Sequence, residues 1–318
     1  MEAHMPRSIY LLSVPSDAGA LNGTDLGPES LLNALPPALF GAGYGYHKVV
    51  RRDLGEQTGF PGTAALHRRS RGKVHRKREV VQVANMTAQA VRESLNWDAF
   101  VAVLGGDHSI AMGSCRGALE FARSRGKTLG LLWIDAHYDA HTHLSTLSHN
   151  ANGMPLATLL GYGPPCFRPG RQAFLPEHVL HLGAGEKDCE PPERALLEQL
   201  GVRMIPAKDF RQLNVAVPWR ALVQLLARVD LVWVSFDLDA VNRVHAPGVH
   251  LRSENGLTKM TLLWIAGHVA QSRKLCGVDI MEHKPSAEEY DGDGRGKTAM
   301  LASEFLLTLL GKDPQSVQ

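Results

Sequence analysis

The chain has 318 residues, 44% of them hydrophobic, enough to bury a large core, and a formal charge of +2 that gives no ground for a nucleic-acid or membrane partner. Cys115, Cys166, Cys189 and Cys276 are too scattered for a disulfide framework, and no apolar stretch approaches the roughly 18–20 residues that span a bilayer. The first residues lack the basic-then-apolar run of a signal peptide, so the expectation is a soluble, cytoplasmic protein.

In chain order, short runs rich in Val, Ile and Leu alternate with stretches of helical pattern. Strands are expected at 9–14, 48–53, 100–104, 129–134, 179–182, 202–205, 231–236 and 276–281. Between and after them, helices are expected at 28–34, 78–94, 110–123, 155–160, 192–200, 218–228, 259–271 and 298–310, with Pro28, Pro192 and Pro218 near helix starts. Nearly continuous apolar strands separated by helices indicate an α/β fold with parallel strands covered on both faces. No internal repeat or long linker divides the chain, so residues 1–318 read as one domain. The basic stretch at 67–78 lacks aromatic residues for base stacking, and its plain reading is a solvated loop and helix start. A subunit contact or anion site is the alternative.

Three segments place acidic and imidazole side chains just after expected strands: Gly105-Gly106-Asp107-His108-Ser109, Asp135-Ala136-His137-Tyr138-Asp139 and Ser235-Phe236-Asp237-Leu238-Asp239. On extended backbone, residues two apart point to the same side, so Asp135, His137 and Asp139 can converge, and Asp237 with Asp239 beside them. Strand C-terminal ends are where open α/β sheets build sites. Carboxylates gathered there without partners would repel one another and resist desolvation, which demands cations. Four carboxylates with two imidazoles and no thiolate suit Mn²⁺, with Zn²⁺, Fe²⁺ or Co²⁺ as other fits. Two ions sharing a water would generate hydroxide near neutral pH.

These motifs resemble those of the ureohydrolase family, which includes arginase, agmatinase and formimidoylglutamase. The resemblance runs from about Gly27 to Gly311, also through Leu26-Gly27-Pro28, Gly153-Met154-Pro155-Leu156, Ala246-Pro247-Gly248 and Lys297-Thr298-Ala299. Gly153–Leu156 and the Lys-Thr-Ala stretch look most like the arginase branch. The resemblance implies a three-layer α/β/α fold around a mainly parallel eight-stranded sheet, two Mn²⁺ per chain and a homo-oligomer, trimer or hexamer. By motif position, His108, Asp135, Asp139 and Asp237 would hold one ion, and Asp135, His137, Asp237 and Asp239 the other. A metal-bridging hydroxide would attack the amidine carbon of a guanidino or formimino substrate. Asp139 would pass the proton to the departing amine, and Glu282 would pair with the substrate's planar cation. Asp107 would orient the site or simply cap the turn at Ser109.

Several positions depart from the arginase pattern. Asn152 stands where arginase-like members have a shuttle histidine, so that role is missing or moves to His149 or His143. His141 replaces an asparagine that grips the substrate carboxylate, whereas Ser148 still matches a carboxylate-contacting serine. Glu186, in the acidic stretch at 186–190, lies where arginases hold the α-amino group, with altered spacing. His250 and Arg252 replace small residues after Pro247. His141, His250 and Arg252 together would favour a more anionic substrate, such as formiminoglutamate or a guanidino acid; ordinary surface variation is the plain alternative. The leading expectation is therefore arginase-like, urea-releasing hydrolysis, with formimidoylglutamase or another guanidino-acid hydrolase as the alternative. A non-catalytic, metal-binding family member is a further reading because of Asn152. Phosphoester hydrolysis fits least, since Glu282 would repel phosphate and no Gly-rich phosphate loop is present.

Overall fold

The computed structural model describes residues 8–40, 48–54, 74–97, 99–168, 173–211 and 215–312. Eight strands form one sheet: β1 (Ser8–Val14), β2 (Lys48–Asp53), β3 (Ala99–Gly105), β4 (Leu129–Ile134), β5 (Val179–Leu182), β6 (Arg203–Ile205), β7 (Leu231–Asp237) and β8 (Leu275–Met281). Their order is β2-β1-β3-β8-β7-β4-β5-β6, and every adjacent pair is parallel. All eight strands expected from the sequence are present, each end within one residue.

The connections are α1 (Gly27–Ala34), α2 (Lys77–Leu95), α3 (Ala111–Ser124), α4 (Pro155–Leu159), α5 (Pro191–Leu200), α6 (Ala207–Arg211), α7 (Ala216–Arg228), α8 (Lys259–Gln271) and α9 (Lys297–Leu309). Only α6 escaped the sequence reading; five residues are too short to establish a helical period.

Alternation along each strand divides the core in two. Ile9 and Leu11 of β1 belong to the cluster built with α1, α7, α8 and α9, whereas Leu12 and Val14 belong to the one built with α2, α3, α4 and α5. Because both faces are covered, every residue of β3 and β4 is buried, which is why these strands read as unbroken apolar runs. One glycine admits a bulky neighbour: a Cβ on Gly277 of β8 would lie 2.3 Å from the Trp233 ring of β7.

The helix starts use the chemistry at hand. A reciprocal box of Glu190 and Glu193 caps α5, and the Thr258 hydroxyl accepts from Thr261 N at the head of α8. At the described end of the basic segment, Lys77 and Arg78 are exposed at the start of α2, and one residue departs from the expectation. Arg76 is not solvated; it is 6% exposed and its Nε donates to Ala18 O at 2.6 Å, tying the start of α2 to the loop after β1. Residues 67–73 lie outside the described residues. Among the described residues, no helix is long and apolar enough to cross a membrane.

Candidate metal centre

The four central strands, β3, β8, β7 and β4, end on the same side of the sheet, and each delivers part of one cluster. His108 follows β3, Glu282 follows β8, Asp237 ends β7 with Asp239 in the next turn, and Asp135 follows β4. The Nδ1 of His108 lies 3.1 Å from Asp135 Oδ2, 3.1 Å from Asp237 Oδ2 and 3.2 Å from Asp139 Oδ2. The Nδ1 of His137 lies 3.1 Å from Asp239 Oδ2 and 3.5 Å from Asp135 Oδ1. All six expected ligand residues are thus gathered, with Asp135 reaching both imidazoles through different oxygens.

The convergence does not arise from strand alternation, as the sequence suggested. Asp135 to Asp139 lies beyond β4 in a bend, and Asp139 adopts a left-handed backbone with φ 49°. Asp239 stands in a single 3-10 turn, where its N–H donates to Asp237 Oδ1 at 2.8 Å. Glu282 is also left-handed, with φ 66°. Non-glycine residues held in this region cost of order 1–3 kcal/mol each and tend to mark functional positions.

Buried donors hold these groups in place. Trp133 Nε1 donates to Asp135 Oδ2 at 3.0 Å, and the Trp133 ring stacks on His108 with centroids 4.3 Å apart. The far nitrogen of His108, Nε2, meets Ser235 Oγ at 3.0 Å, and Ser235 donates to the fully buried Asp279 at 2.6 Å. Trp233 Nε1 and Ser114 Oγ donate to the other oxygen of Asp279. The ring of His181 meets His137 O at 2.7 Å, fixing the bend after β4.

The donor set fits divalent cations. Three carboxylate oxygens crowd one nitrogen of His108, yet that nitrogen makes no well-formed hydrogen bond, and Asp239 Oδ1 is likewise buried without one. In the protein alone, burial and then the Asp135 charge push Asp139 up to about 8. Burial, then Asp239 and Asp135, drives Asp237 well above the usual carboxylate range. Burial would raise Asp135 too, but the hydrogen bonds and charges of His108 and His137 override it and hold it low. Divalent cations would relieve this repulsion and stabilise the ionised carboxylates.

Asp107 takes the capping role. Its Oδ1 accepts from Ser109 N at 2.8 Å, and its Oδ2 accepts from Gly19 N at 2.7 Å. A Cβ on Gly19 would stand 2.4 Å from Asp107 Oδ1, so only glycine permits this approach. The clasp anchors the loop that carries Asn22, whose Nδ2 donates to Glu282 Oε2 at 2.7 Å. The other Glu282 oxygen accepts from His108 N at 2.9 Å, and burial followed by the Asp107 charge pushes this carboxyl up to about 8. Far from being an exposed strand-end charge, Glu282 is buried on the cavity wall.

A cavity of about 240 Å³ opens over the cluster, lined by His137, Asp139, Asp237, Asp239, Glu282 and Asn22. His141, Ser148, Asn152 and His250 also line it, as expected, together with Asp188, Glu190 and Glu193. Three residues expected to bind substrate or carry a proton do not. Arg252 donates instead to the carbonyls of Pro247 and Ala287, Glu186 pairs with Lys208 at 3.1 Å, and His149 packs edge-on against His75. Each is absent from the lining, as is His143. Sequence reasoning missed Asn22, Glu193, Ser235 and Asp279, and chose Glu186 where Asp188 faces the cavity. Asp279 did carry a signal: a carboxylate inside the apolar run Val278-Asp279-Ile280 needs buried donors.

The arginase family model matches residues 7–311. This chain belongs to the arginase family. An arginase from Bacillus caldovelox is 28% identical over 319 residues, spanning 96% of this chain and 99% of its own length. A solved structure of an arginase from the same organism superposes with a TM-score of 0.84 at 26% identity, covering 96% of this chain and 99% of that one. The formimidoylglutamase of Bacillus subtilis shares the fold more distantly, with a TM-score of 0.72 at 20% identity, covering 96% and 86%. The arginase-family chain is accordingly a ureohydrolase, an enzyme that hydrolyses C–N bonds of guanidino compounds, and its cluster supplies candidate residues for the metal on which the family depends.

Proposed function

We propose that the chain is an arginase-like hydrolase that releases urea from a guanidino substrate and works with two Mn²⁺. One observation carries the two-ion reading: His108, Asp135 and Asp237 form one group of potential ligands, Asp135, His137 and Asp239 a second, and Asp135 belongs to both. Within each group the potential ligand atoms lie within 4.8 Å of one another. His108, Asp135, Asp139 and Asp237 would hold one ion, and Asp135, His137, Asp237 and Asp239 the other. The oxygen and imidazole donors, without thiolate, suit Mn²⁺. Bound ions would acidify a shared water and make hydroxide available near neutral pH.

The protein's own groups bind and orient the substrate. Glu282 presents a carboxylate to the planar guanidinium, and Asn22 and His108 N fix its two oxygens. That pairing holds the guanidino carbon over the cluster, where Asp139 lines the same cavity and can hand a proton to the departing nitrogen. Water adds across the C–N bond, and urea and an amine leave. Asn152 lines this cavity and, as an amide, exchanges no proton near neutral pH, which supports a second reading of metal binding without turnover.

Metal analysis with a urea-release assay over arginine, agmatine and 4-guanidinobutyrate in Mn²⁺ separates the readings. About two ions per chain with urea formed supports the proposal. Two ions with every guanidine inert would leave the non-catalytic reading.

A further inference from the structure

We infer that Arg76 is a positioning residue: together with Asp107 it clamps one peptide group of the loop after β1, and through that loop it holds Asn22 and Glu282 in place for the guanidinium. The inference rests on the proposed pairing of Glu282 with a guanidino substrate. The carbonyl of Ala18 and the N–H of Gly19 belong to the same peptide unit. Arg76 Nε donates to that carbonyl at 2.6 Å, and that N–H donates to Asp107 Oδ2 at 2.7 Å. A buried cation thus grips the oxygen of this planar group and a buried anion its nitrogen, which leaves the plane one orientation. The Arg76 charge also acts on Asp17 of the same loop, whose Oδ1 is buried without a hydrogen bond and whose Oδ2 accepts from Gly23 N at 3.0 Å.

The clamped peptide leads to two loops of the cavity wall. Gly19 O accepts from Ala151 N at 2.9 Å and from Asn152 N at 3.5 Å, and three residues further on Asn22 Nδ2 donates to Glu282 Oε2. One residue before Arg76, His75 N donates to His149 O at 2.8 Å. The start of α2 therefore touches both segments, one lining the cavity with Ala20 and Asn22 and the other with Ser148, Asn150 and Asn152. Leu21, Arg76 and His149 each hold a left-handed backbone, with φ 54°, 44° and 60°. Non-glycine residues adopt that conformation at a cost, which persists where surrounding contacts over-determine it. Here three such residues fall where the three segments meet. Without Arg76, Asp17 and Asp107 lose a cation that offsets their charge, and the 18–19 peptide keeps a grip on its nitrogen alone.

The test uses the full chain loaded with Mn²⁺ and urea release from arginine, agmatine and 4-guanidinobutyrate. Arg76→Met removes the charge and the donor, and should lower kcat/KM about tenfold on whichever of these is turned over, with the Mn²⁺ content of the parent. Because Arg76 acts through Asn22, adding Arg76→Met to Asn22→Ala should cost less than about twofold more. A residue that merely supports the fold would add its full loss instead. Arg76→Lys keeps the charge and should recover about threefold of the loss, and Lys77→Met, at the exposed next position, should match the parent. Should Arg76→Met not fold, the same cycle is run with Arg76→Lys, whose smaller loss should likewise vanish in the Asn22→Ala background. Hydrogen exchange read by mass spectrometry is independent of turnover: amides of residues 17–24 and 150–154 should exchange about tenfold faster in the Arg76 variant. Parent-like turnover, additive losses or unchanged exchange each overturns the inference. If the parent hydrolyses none of the three guanidines, hydrolysis fails as the function, while the exchange rates still decide the clamp.

Discussion

Asp279 offers the sharpest test of how this site is held. It is fully buried and accepts from Ser235 at 2.6 Å, from Trp233 at 2.7 Å and from Ser114, while Ser235 in turn meets His108, a proposed ligand. In Asp279→Asn, one acceptor oxygen becomes an NH₂ facing donors. Either the Trp233 and Ser114 pair or the Ser235 hydroxyl then loses its acceptor. A buried donor left unpaired costs about 1–3 kcal/mol, and since the serine hydroxyls can rotate, a net loss of about 3 kcal/mol is expected. With an unfolding entropy of roughly 2.1 cal/mol/K per residue over 318 residues, that lowers Tm by about 4–5 °C. If His108 holds the metal as proposed, loosening its support should also weaken metal binding about 10–100-fold. Thermal unfolding of the metal-free variant and a Mn²⁺ titration measure the two effects separately. A variant with Tm within about 1 °C of the parent and unaltered Mn²⁺ affinity would refute the chain from Asp279 through Ser235 to His108.

Other outcomes follow from the same geometry. Burial holds Asp139 and Glu282 up at about 8 in the protein alone, so the folded state keeps protons that the unfolded chain releases near the ordinary values of 3.8 and 4.5. Metal-stripped protein should therefore lose stability as pH rises from about 4 to about 8, and Mn²⁺ should restore more of it at the alkaline end; greater stability of the stripped protein at alkaline pH would contradict this. Asn22→Ala frees one oxygen of Glu282 and should lower kcat/KM about tenfold with two ions still bound, measured by urea release and metal content. Metal loss in that variant would place Asn22 in a different role. Asn152→His should change turnover more than metal content, because Asn152 lines the cavity outside the two ligand groups.

The inner strands were legible because a parallel sheet covered on both faces demands apolar runs, unbroken in β3 and β4, whereas the edge strands β2 and β6 begin with Lys48 and Arg203 and carry the signal more weakly. The clustering of the six proposed ligand residues was legible because acids gathered after buried strands call for a cation whatever the exact backbone path. The path itself was not: Asp139 reaches the cluster through a left-handed bend, which residue spacing does not encode. Side-chain direction in the loops was equally hidden. Arg252 and Glu186 lie close in sequence to His250 and Asp188, yet bond away from the cavity. Asn22 is distant in sequence from Glu282, and its loop is brought there by contacts such as the Asp107 clasp on Gly19 and Arg76 on Ala18.

The place of β8 in the sheet bears on how the chain can mature. It pairs with β3 on one side and β7 on the other, although both precede it in sequence. Until it docks, the sheet is two fragments with unsatisfied edges facing each other across a missing strand, a hazard for a nascent chain on the ribosome. The same late insertion delivers Glu282 and sets Asp279 under Ser235, so a truncated or half-folded copy lacks the machinery to do chemistry. The strand that closes the sheet is also the one that completes the site.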